Sequence, residues 1–445
     1  MAGWSFDAAV DELIALARRE MDVAIVPGVQ LGFIDGASER TCAIGVADVR
    51  SGRPVDEQTM FRIASITKTF TATLLVRLAA AGLLGLDDPV RRYVPEFELA
   101  DREAASRVTI RHLLLHTGGW EPHLEHVADG ADAFARGART QARAPQIAPP
   151  GAYFSYNGVG YMVLGRVIEV VTGRPYEDAV SAELLSPLRM GQTRFESEVT
   201  ENMAGDHTAR AGRAETMDDS RGSRWSLPSG GLRSTASDLI RWARCHFGET
   251  QLLPPEDAAT MAEPQVSLAG PHEAKGLSWF IRDIGAARVV WHTGGAAGQQ
   301  SLVALCPARR IAVIVLTNSG AGHTVTTAVH DRAIELFLGV PIAPPPPPIV
   351  IPTEALAEYE GRFMHLASDV ILARDGDRLT MRLEQKGPYA LRPAVPPAHL
   401  EFWDRDRVVG ADGPAKGQYG DFLRDAQGQV AYFRWGGRAR PRADR

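Results

Sequence analysis

The hydrophobic and polar positions along the chain follow two periods, and each period predicts a different kind of element. Helical spacing occurs in four segments, at 6–17 behind a capping Ser5, and at 67–84, 161–171 and 328–338. Short apolar runs typical of strands occur at 30–35, 41–46, 276–281, 289–292, 300–306 and 311–318. We therefore predict a sheet in which early strands pair with late ones, with helices packed on both faces.

A proline run divides the chain into two parts. Residues 344–348 are consecutive prolines within the segment 343–352, which we expect to be a stiff, extended linker. The runs that follow at 370–373, 379–383 and 430–435 are short and alternating, and glycine-containing turns separate them. This pattern predicts a first domain at 1–342 and a small antiparallel β-barrel at 353–445. Within the first domain, a mainly helical insertion at about 86–243 should face the edge of the sheet and form a cleft with it.

The composition is that of an ordinary globular protein. The chain has 445 residues, of which 45% are hydrophobic and 23% charged, and its formal net charge is -6. This charge gives no electrostatic footprint for nucleic acid or for an anionic membrane, so we expect neither as a partner. Arginines near the C-terminus form either a binding patch or, more commonly, a solvated end: Arg434, Arg438, Arg440, Arg442 and Arg445.

The N-terminus and the cysteines predict the cellular compartment. Acidic residues interrupt the first helical segment, which therefore lacks the basic start and apolar core of a signal peptide. Cys42, Cys245 and Cys306 are odd in number and far apart, which fits reduced thiols. We therefore predict a cytoplasmic protein, and we leave a homo-oligomer open.

Ser65 and Lys68 are the first residues that suggest chemistry. They stand three positions apart at the start of the helical segment 67–84, so their side chains share one helical face. A neutral lysine at this separation can take the serine proton. Acyl chemistry also needs a proton path to the leaving group and a stabilised oxyanion. Tyr156 supplies a phenol directly before the segment 161–171, and we expect residues 292–295 to form a glycine-containing turn that ends a strand.

The order and the surroundings of these motifs resemble the serine β-lactamase and penicillin-binding-protein superfamily. The resemblance is closest to the branch of class C β-lactamases, esterases and D-aminopeptidases, and it covers roughly the first 340 residues. Further motifs that carry it lie at 26–29, 61–64, 109–119, 150–151, 229–239 and 311–318. The resemblance implies an α+β fold, with an antiparallel sheet flanked by helices and a helical subdomain. The C-terminal part resembles the lipocalin-like domains of several D-aminopeptidase-type members. It either stabilises or dimerises the protein, or reaches the cleft through a loop such as 396–405.

The resemblance also assigns roles residue by residue. It makes Ser65 the acylated nucleophile, Lys68 its partner base and Tyr156 the phenol that passes a proton to the leaving group. The backbone N–H groups of Ser65 and Gly295 would form the oxyanion hole, where a glycine allows the strand to approach the substrate. The structural alternatives are a packed aromatic side chain for Tyr156 and an ordinary turn around Gly295.

Two departures from the family pattern bear on the substrate. His292 stands where β-lactamases have a lysine, so a permanent cation for a drug carboxylate is missing. The resemblance places the next two residues, Thr293 and Gly294, on the same substrate-binding strand. We expect His292 to orient the substrate by a hydrogen bond; a proton carrier and a satisfied histidine are the alternatives. Gly158 occupies the place of the family's asparagine. The shifted Asn157 either turns inward to bind an acylamide or caps the following helix.

The remaining histidines do not predict a metal site. His112 and His116 are four positions apart, and His123 and His126 are three apart, and either spacing can hold zinc. No HExxH arrangement accompanies them and no third ligand is suggested, so we expect neither a metal nor another cofactor.

These residues together predict a serine hydrolase that forms an acyl-enzyme on Ser65. Its substrate would be an ester or amide of a small molecule or a short peptide, and a D-aminopeptidase-like peptidase and a carboxylesterase both remain open. Acyl transfer on the same fold is one alternative, and a non-catalytic binding or scaffold protein is another.

Overall fold

The computed structural model describes residues 4–127, 129–197, 202–218, 222–387 and 395–443. Its helices are α1 (Phe6–Ala24), α2 (Thr67–Ala80), α3 (Arg102–Arg107), α4 (Ile110–Leu114), α5 (Ala133–Thr140), α6 (Gly158–Thr172), α7 (Tyr176–Val180), α8 (Leu227–Gly230), α9 (Ala236–His246), α10 (Pro255–Met261) and α11 (His323–Leu338).

The strands before the proline run are β1 (Gly28–Asp35), β2 (Ser38–Asp48), β3 (Arg53–Pro54), β4 (Phe61–Arg62), β5 (Arg194–Phe195), β6 (His207–Arg210), β7 (Arg213–Thr216), β8 (Leu232–Ser234), β9 (Val266–Ser267), β10 (Glu273–Lys275), β11 (Phe280–Ile284), β12 (Ala287–Ala296), β13 (Gln299–Cys306) and β14 (Ile311–Thr317). Those after it are β15 (Gly361–Phe363), β16 (Ser368–Asp375), β17 (Arg378–Gln385), β18 (Ala398–Asp404), β19 (Arg407–Gly410), β20 (Tyr419–Arg424), β21 (Val430–Trp435) and β22 (Arg438–Pro441).

The main sheet is antiparallel and lies between helical layers, as predicted. Its strands run in the order β3, β2, β1, β14, β13, β12, β11, β10 and β9. In the central strand β14, Val313 and Val315 face the core under α1 and α11, whereas Ile314 and Leu316 face the core that includes α9 and α2. Because both faces are buried, this strand is a continuous apolar run and not an alternating one.

The helices occur where the helical spacing predicts them, with shifted ends. The Ser5 side chain accepts a hydrogen bond from the backbone N–H of Ala8 and begins α1. Helix α2 ends four residues earlier than predicted, because Gly82 adopts a left-handed backbone with a φ of 71°. Helix α6 begins three residues earlier than predicted, directly behind Asn157.

Three predictions of local structure are wrong. Residues 292–295 do not form a turn, because they continue β12 and pair with β13; the chain reverses later, at Gly298, whose φ is 82°. The predicted strand 276–281 is mainly the turn between β10 and β11, which pair with each other, and only its last two residues belong to β11. The predicted loop 396–405 is largely strand β18.

The C-terminal strands form an antiparallel sheet in sequential order from β15 to β22. The sheet nearly closes into a barrel, since Phe363 in β15 bridges to Arg442, directly after β22. Alternate positions such as Val370 and Leu372 fill its core, which explains the short alternating pattern of this part of the sequence.

Strand β12 lies unusually close to the backbone that precedes Ser65. The Ser301 hydroxyl is within hydrogen-bond distance of two carbonyl oxygens, 3.2 Å from that of Ile63 and 3.3 Å from that of Gly294. A Cβ at Gly294 would lie 2.0 Å from the Ile63 oxygen, whereas a Cβ at Gly295 would meet only the flexible Gln300 side chain, at 3.3 Å. The residue that steric contact requires to be glycine is therefore Gly294.

We expect Gly294→Ala to lower the free energy of unfolding by about 2 kcal/mol or more, because the new methyl group overlaps backbone that cannot rotate away. The matched variant Gly295→Ala should change it by less than about 1 kcal/mol, since a side-chain end can move. Urea unfolding followed by circular dichroism measures both. Equal losses in the two variants would contradict this account of the strand.

Burial of His246 predicts a pH dependence of stability. The ring packs edge-on between Trp242 and Trp279, and this burial lowers the pKa of His246 to about 3. In the unfolded chain the same group takes up a proton near pH 6.5, so the unfolded state binds more protons and stability falls as the pH is lowered. We expect His246→Leu to remove about 2 kcal/mol of the stability difference between pH 7 and pH 5. Unfolding of both proteins at the two pH values tests this, and an unchanged difference would refute it.

Candidate active site

Ser65 lies in a short 3-10 turn, Ala64–Ile66, that leads directly into α2. The preceding Ala64 has a φ of 42°, a left-handed conformation that costs a non-glycine residue about 1–3 kcal/mol. Tertiary contacts maintain it, since the backbone N–H of Ile63 donates to the Leu232 carbonyl at 3.0 Å. The Ser65 side chain is thus presented by a strained and well-anchored turn.

The Ser65 hydroxyl has the two partners that the sequence predicted. Lys68 Nζ lies 3.0 Å from Ser65 Oγ, and the Tyr156 hydroxyl donates to the same oxygen at 2.9 Å. Lys68 is buried, and its amine also donates to the backbone carbonyl of Ser229 at 2.5 Å. Within the described ranges, no carboxylate forms an ion pair with Lys68. A serine hydroxyl, a lysine amine and a phenol therefore meet at one oxygen.

The start of α2 is fixed to the segment 227–232. The Thr67 hydroxyl accepts a hydrogen bond from the Leu232 backbone N–H at 3.1 Å, and the Thr71 hydroxyl lies 2.7 Å from the Pro228 carbonyl. These contacts position the Ser229 carbonyl over Lys68. The segment overlaps the motif 229–239 noted in the sequence, but the contact of the Ser229 carbonyl with Lys68 was not predicted.

Tyr156 is held from two sides. Its backbone N–H donates to the carbonyl of Gly437 in the C-terminal barrel at 2.8 Å. On the other side the His116 ring packs against the phenol ring of Tyr156 at a tilt of 31°, with 4.4 Å between the ring centres. The Lys68 amine lies 5.2 Å from the centre of the phenol ring. The phenol is therefore fixed by residues far apart in sequence.

Asn157 caps helix α6. Its side-chain oxygen accepts from the backbone N–H groups of Val159 and Gly160, and its side-chain nitrogen donates to the Trp120 carbonyl at 3.3 Å. Both ends of the amide are thus engaged within the protein, which favours the capping alternative over contact with a substrate. The backbone N–H of Asn157 lies 3.1 Å from His116 Nδ1 and helps to orient that ring.

The site contains further buried basic groups. Burial, together with the charges of Lys275 and Lys68, holds the pKa of His116 and that of His292 well below the usual range. Burial likewise holds the pKa of Lys275 well below that of an exposed lysine. The Lys275 amine donates to the Ser278 carbonyl and lies 3.6 Å from the centre of the Phe280 ring. His292 is therefore uncharged at neutral pH and does not replace a permanent cation.

The predicted site residues differ in how closely the structure connects them. Ser65, Lys68 and Tyr156 are in direct contact, and His292, Thr293, Gly294 and Gly295 share strand β12. His292 is buried, with Nδ1 2.7 Å from the Thr293 carbonyl. Lys275 and Gly437 were not predicted, since neither belongs to a motif. His116 was noted only as a metal candidate and as part of the motif 109–119.

In the part of the chain that the structure describes, no group of three or more potential metal ligands is present. His112 Nδ1 accepts from the Thr109 backbone N–H, and His116 is occupied by Asn157. None of the helices in the described ranges combines the length and the hydropathy that crossing a bilayer requires.

Two curated relatives align with most of the chain. Penicillin-binding protein 4 of Amycolatopsis lactamdurans is 31% identical over 363 residues, which cover 76% of this chain and 94% of the relative. Esterase EstB of Burkholderia gladioli is 30% identical over 379 residues, which cover 74% of this chain and 95% of the esterase.

Solved structures extend the comparison to the C-terminal barrel. SurE superposes with a TM-score of 0.80 and 28% identity, over 98% of this chain and all of SurE, and SurE has also been solved with D-Leu. An octameric penicillin-binding protein homologue from Pyrococcus abyssi shares the fold, with a TM-score of 0.65 and 24% identity over 97% of this chain and 99% of its own.

The family model described as Beta-lactamase matches residues 13–336, a span that contains Ser65, Lys68, Tyr156 and strand β12. The family and these relatives are serine-hydrolase-type proteins. The chain is thus a member of the beta-lactamase family, with an antiparallel C-terminal barrel attached to the family's fold.

Proposed function

We propose that this protein is a serine hydrolase that cleaves an ester or amide through an acyl-enzyme on Ser65. The observation that carries the proposal is the contact of Ser65 Oγ with both the Lys68 amine and the Tyr156 hydroxyl, at 3.0 and 2.9 Å. A serine with only one polar neighbour would lack either the base or the proton path that acyl transfer to serine requires.

In the acylation step, Ser65 Oγ attacks the substrate carbonyl carbon, and Lys68 acts as the base that takes its proton. The carbonyl oxygen becomes an oxyanion, for which we propose the backbone N–H groups of Ser65 and Gly295 as donors. When the tetrahedral intermediate collapses, the bond to the leaving group breaks and Tyr156 donates a proton to the departing oxygen or nitrogen. Lys68, which holds the proton from Ser65, returns one to the phenol.

In the deacylation step, water replaces the leaving group. The Tyr156 and Lys68 pair takes a proton from water as its oxygen attacks the ester carbonyl, and the same pair returns a proton to Ser65 Oγ when the acid departs. His292 is buried, and its lowered pKa leaves the ring uncharged at neutral pH. We propose that it orients the substrate by a hydrogen bond and does not carry charge.

The comparisons support two substrate classes. The similarity to esterase EstB favours a small ester, and the superposition on SurE, solved with D-Leu, favours a peptide or acyl compound with a D-residue. Cleavage of either substrate class would use Ser65, Lys68 and Tyr156 in the same way, so a peptidase and a carboxylesterase remain alternatives. We further infer a cytoplasmic location from the free thiols of Cys42, Cys245 and Cys306, and a homo-oligomer from the octameric homologue.

We expect a fluorophosphonate to add once to the wild-type protein, at Ser65, because this hydroxyl contacts both an amine and a phenol. Ser65→Ala should lose both the adduct and turnover while unfolding at the same temperature, and the exposed control Ser106→Ala should retain both. Intact-protein mass spectrometry followed by peptide mapping measures the adduct. A wild-type protein that neither reacts nor turns over any substrate would point to the non-catalytic alternative.

We expect Lys68→Ala and Tyr156→Phe each to lower kcat by about 10²- to 10⁴-fold, because each removes one step of the same proton path. The double variant should lose little more than either single variant, since the groups act as a unit. Tyr153→Phe is the matched control: its hydroxyl contacts only the Arg424 carbonyl among the described residues, and it should retain activity. Full activity of Tyr156→Phe would refute the assigned proton path.

Rates on matched p-nitrophenyl esters and on D- and L-aminoacyl anilides distinguish the two substrate classes. Faster anilides would assign a peptidase, and turnover of esters alone would assign an esterase. Addition of a primary amine tests acyl transfer, since an amide product that exceeds the hydrolysed acid would assign a transferase and overturn the proposed hydrolysis.

A further inference from the structure

The active site lacks a charged anchor on the strand where the family resemblance leads one to expect it. His292 occupies that position and is buried and uncharged, and the buried Lys275 amine binds the Ser278 carbonyl. If the substrate carries an anionic group, another part of the chain has to bind it.

The C-terminal barrel brings a positively charged side chain close to the phenol of Tyr156. The hairpin of β21 and β22 turns at Gly436 and Gly437 and is bonded to the segment that holds Tyr156. The Gly437 carbonyl accepts from the Tyr156 backbone N–H at 2.8 Å, and the Ala439 backbone N–H donates to Ser155 Oγ at 3.2 Å. The residue between these two contacts is Arg438. Its guanidinium carbon lies 5.5 Å from the centre of the Tyr156 ring.

Arg438 and Tyr156 line one cavity of about 400 Å³ between the two parts of the chain. Helix α6 contributes Val159 and Met162, the loop before α5 contributes Pro122 and Leu124, and the barrel contributes its own apolar side chains. Tyr156 lines this cavity and its hydroxyl donates to Ser65 Oγ at 2.9 Å, so the cavity and Ser65 adjoin the same side chain.

The basic side chains around the cavity differ in how strongly their pKa values are lowered. Arg440, which also lines it, is buried and donates to the carbonyls of Trp435 and Arg438, and burial together with the charge of Arg438 lowers the pKa of Arg440 to about 10. Burial and these two arginines lower the pKa of His365 to about 4, so this ring is uncharged at neutral pH.

The nearby carboxylates are engaged elsewhere. Asp369 pairs with Arg362 and Lys386, and Glu121 accepts from the Leu366 backbone N–H. Within the described residues, no carboxylate lies within ion-pair distance of Arg438, whose side chain is exposed to the cavity and the solvent. The cavity therefore combines an apolar wall with a guanidinium that has no counter-ion.

We propose that Arg438 binds a carboxylate of the substrate in this cavity and so supplies, from the C-terminal barrel, the cation that strand β12 lacks. This inference rests on the proposed function. A guanidinium suits the role because it presents a planar pair of donors to a carboxylate and stays charged over the whole working pH range. The substrate class is thus an ester or amide with a free carboxylate a few bonds from the scissile carbonyl, next to an apolar group.

Two pairs of synthetic esters test this. The first pair, mono-p-nitrophenyl glutarate and its methyl ester, differs only by a carboxylate on the acyl side. The second pair, 4-carboxyphenyl butyrate and its methyl ester, differs by a carboxylate on the leaving group. Each pair is measured with the wild type, Arg438→Gln, Arg438→Lys and the barrel control Arg382→Gln, whose side chain pairs with Glu384 outside the cavity.

We expect Arg438→Gln to lower kcat/KM for the acid of at least one pair by about 10- to 100-fold, the usual effect of losing a charged hydrogen bond. The matching methyl ester should change less than about 3-fold, Arg438→Lys should fall between the wild type and the glutamine variant, and Arg382→Gln should behave as wild type. The pair that responds shows which half of the substrate bears the carboxylate.

Equal losses for acid and methyl ester in both pairs would overturn the inference and leave Arg438 as a residue that only positions Tyr156. No change in any rate would overturn it as well. Both outcomes differ from failure of the proposed function, in which the wild type would turn over none of the four esters and would not react with a fluorophosphonate.

Discussion

The arrangement around Ser65 depends on the burial of the Lys68 amine, which forms no ion pair with a carboxylate in the described part of the chain. Among the described residues, this amine contacts the Ser65 hydroxyl and the Ser229 backbone carbonyl, and the proposed role of Lys68 as a base requires an amine that is not held in an ion pair. Other buried basic groups lie in the same region, and burial, together with the charge of Lys68, lowers the pKa of His116, of Lys275 and of His292.

Rigid backbone contacts hold this arrangement in place. Strand β12 touches the carbonyl of Ile63 so closely at Gly294 that no side chain fits, and the segment 227–232 is bonded to the first turn of α2. Ala64 keeps an unfavourable conformation between these two supports. The contacts fix the Ser65 side chain relative to β12, which is the relation that an oxyanion hole made from both would require.

The C-terminal barrel is part of the same arrangement and not a remote attachment. Its last hairpin bonds to the backbone of Tyr156, and Tyr432 and Arg434 also contact the residues around that tyrosine through the Ile147 and Phe154 carbonyls. The sequence reasoning left open whether this part of the chain reaches the cleft, and it suggested the segment 396–405 for that contact. The contact is made by residues 436–439 instead. The five C-terminal arginines, for which the sequence left a binding patch and a solvated end as alternatives, include Arg434 and Arg440, which are buried.

The sequence by itself determined most of the elements and the family, and it identified Ser65, Lys68 and Tyr156 as the candidate side chains. Apolar spacing predicts helices and strands because it reflects local geometry, and Ser65, Lys68 and Tyr156 are recognisable because their chemistry depends on residue type. Only the tertiary structure decided what surrounds them: the Ser229 carbonyl on Lys68, the Gly437 carbonyl on Tyr156, the continuation of β12 through Gly295 and the place of Arg438. The Ser229 and Gly437 carbonyls contact residues that lie more than a hundred positions away in the sequence. Every residue type has the same carbonyl group, so the sequence contains no local signal for such a contact, and it is decided only when the chain packs.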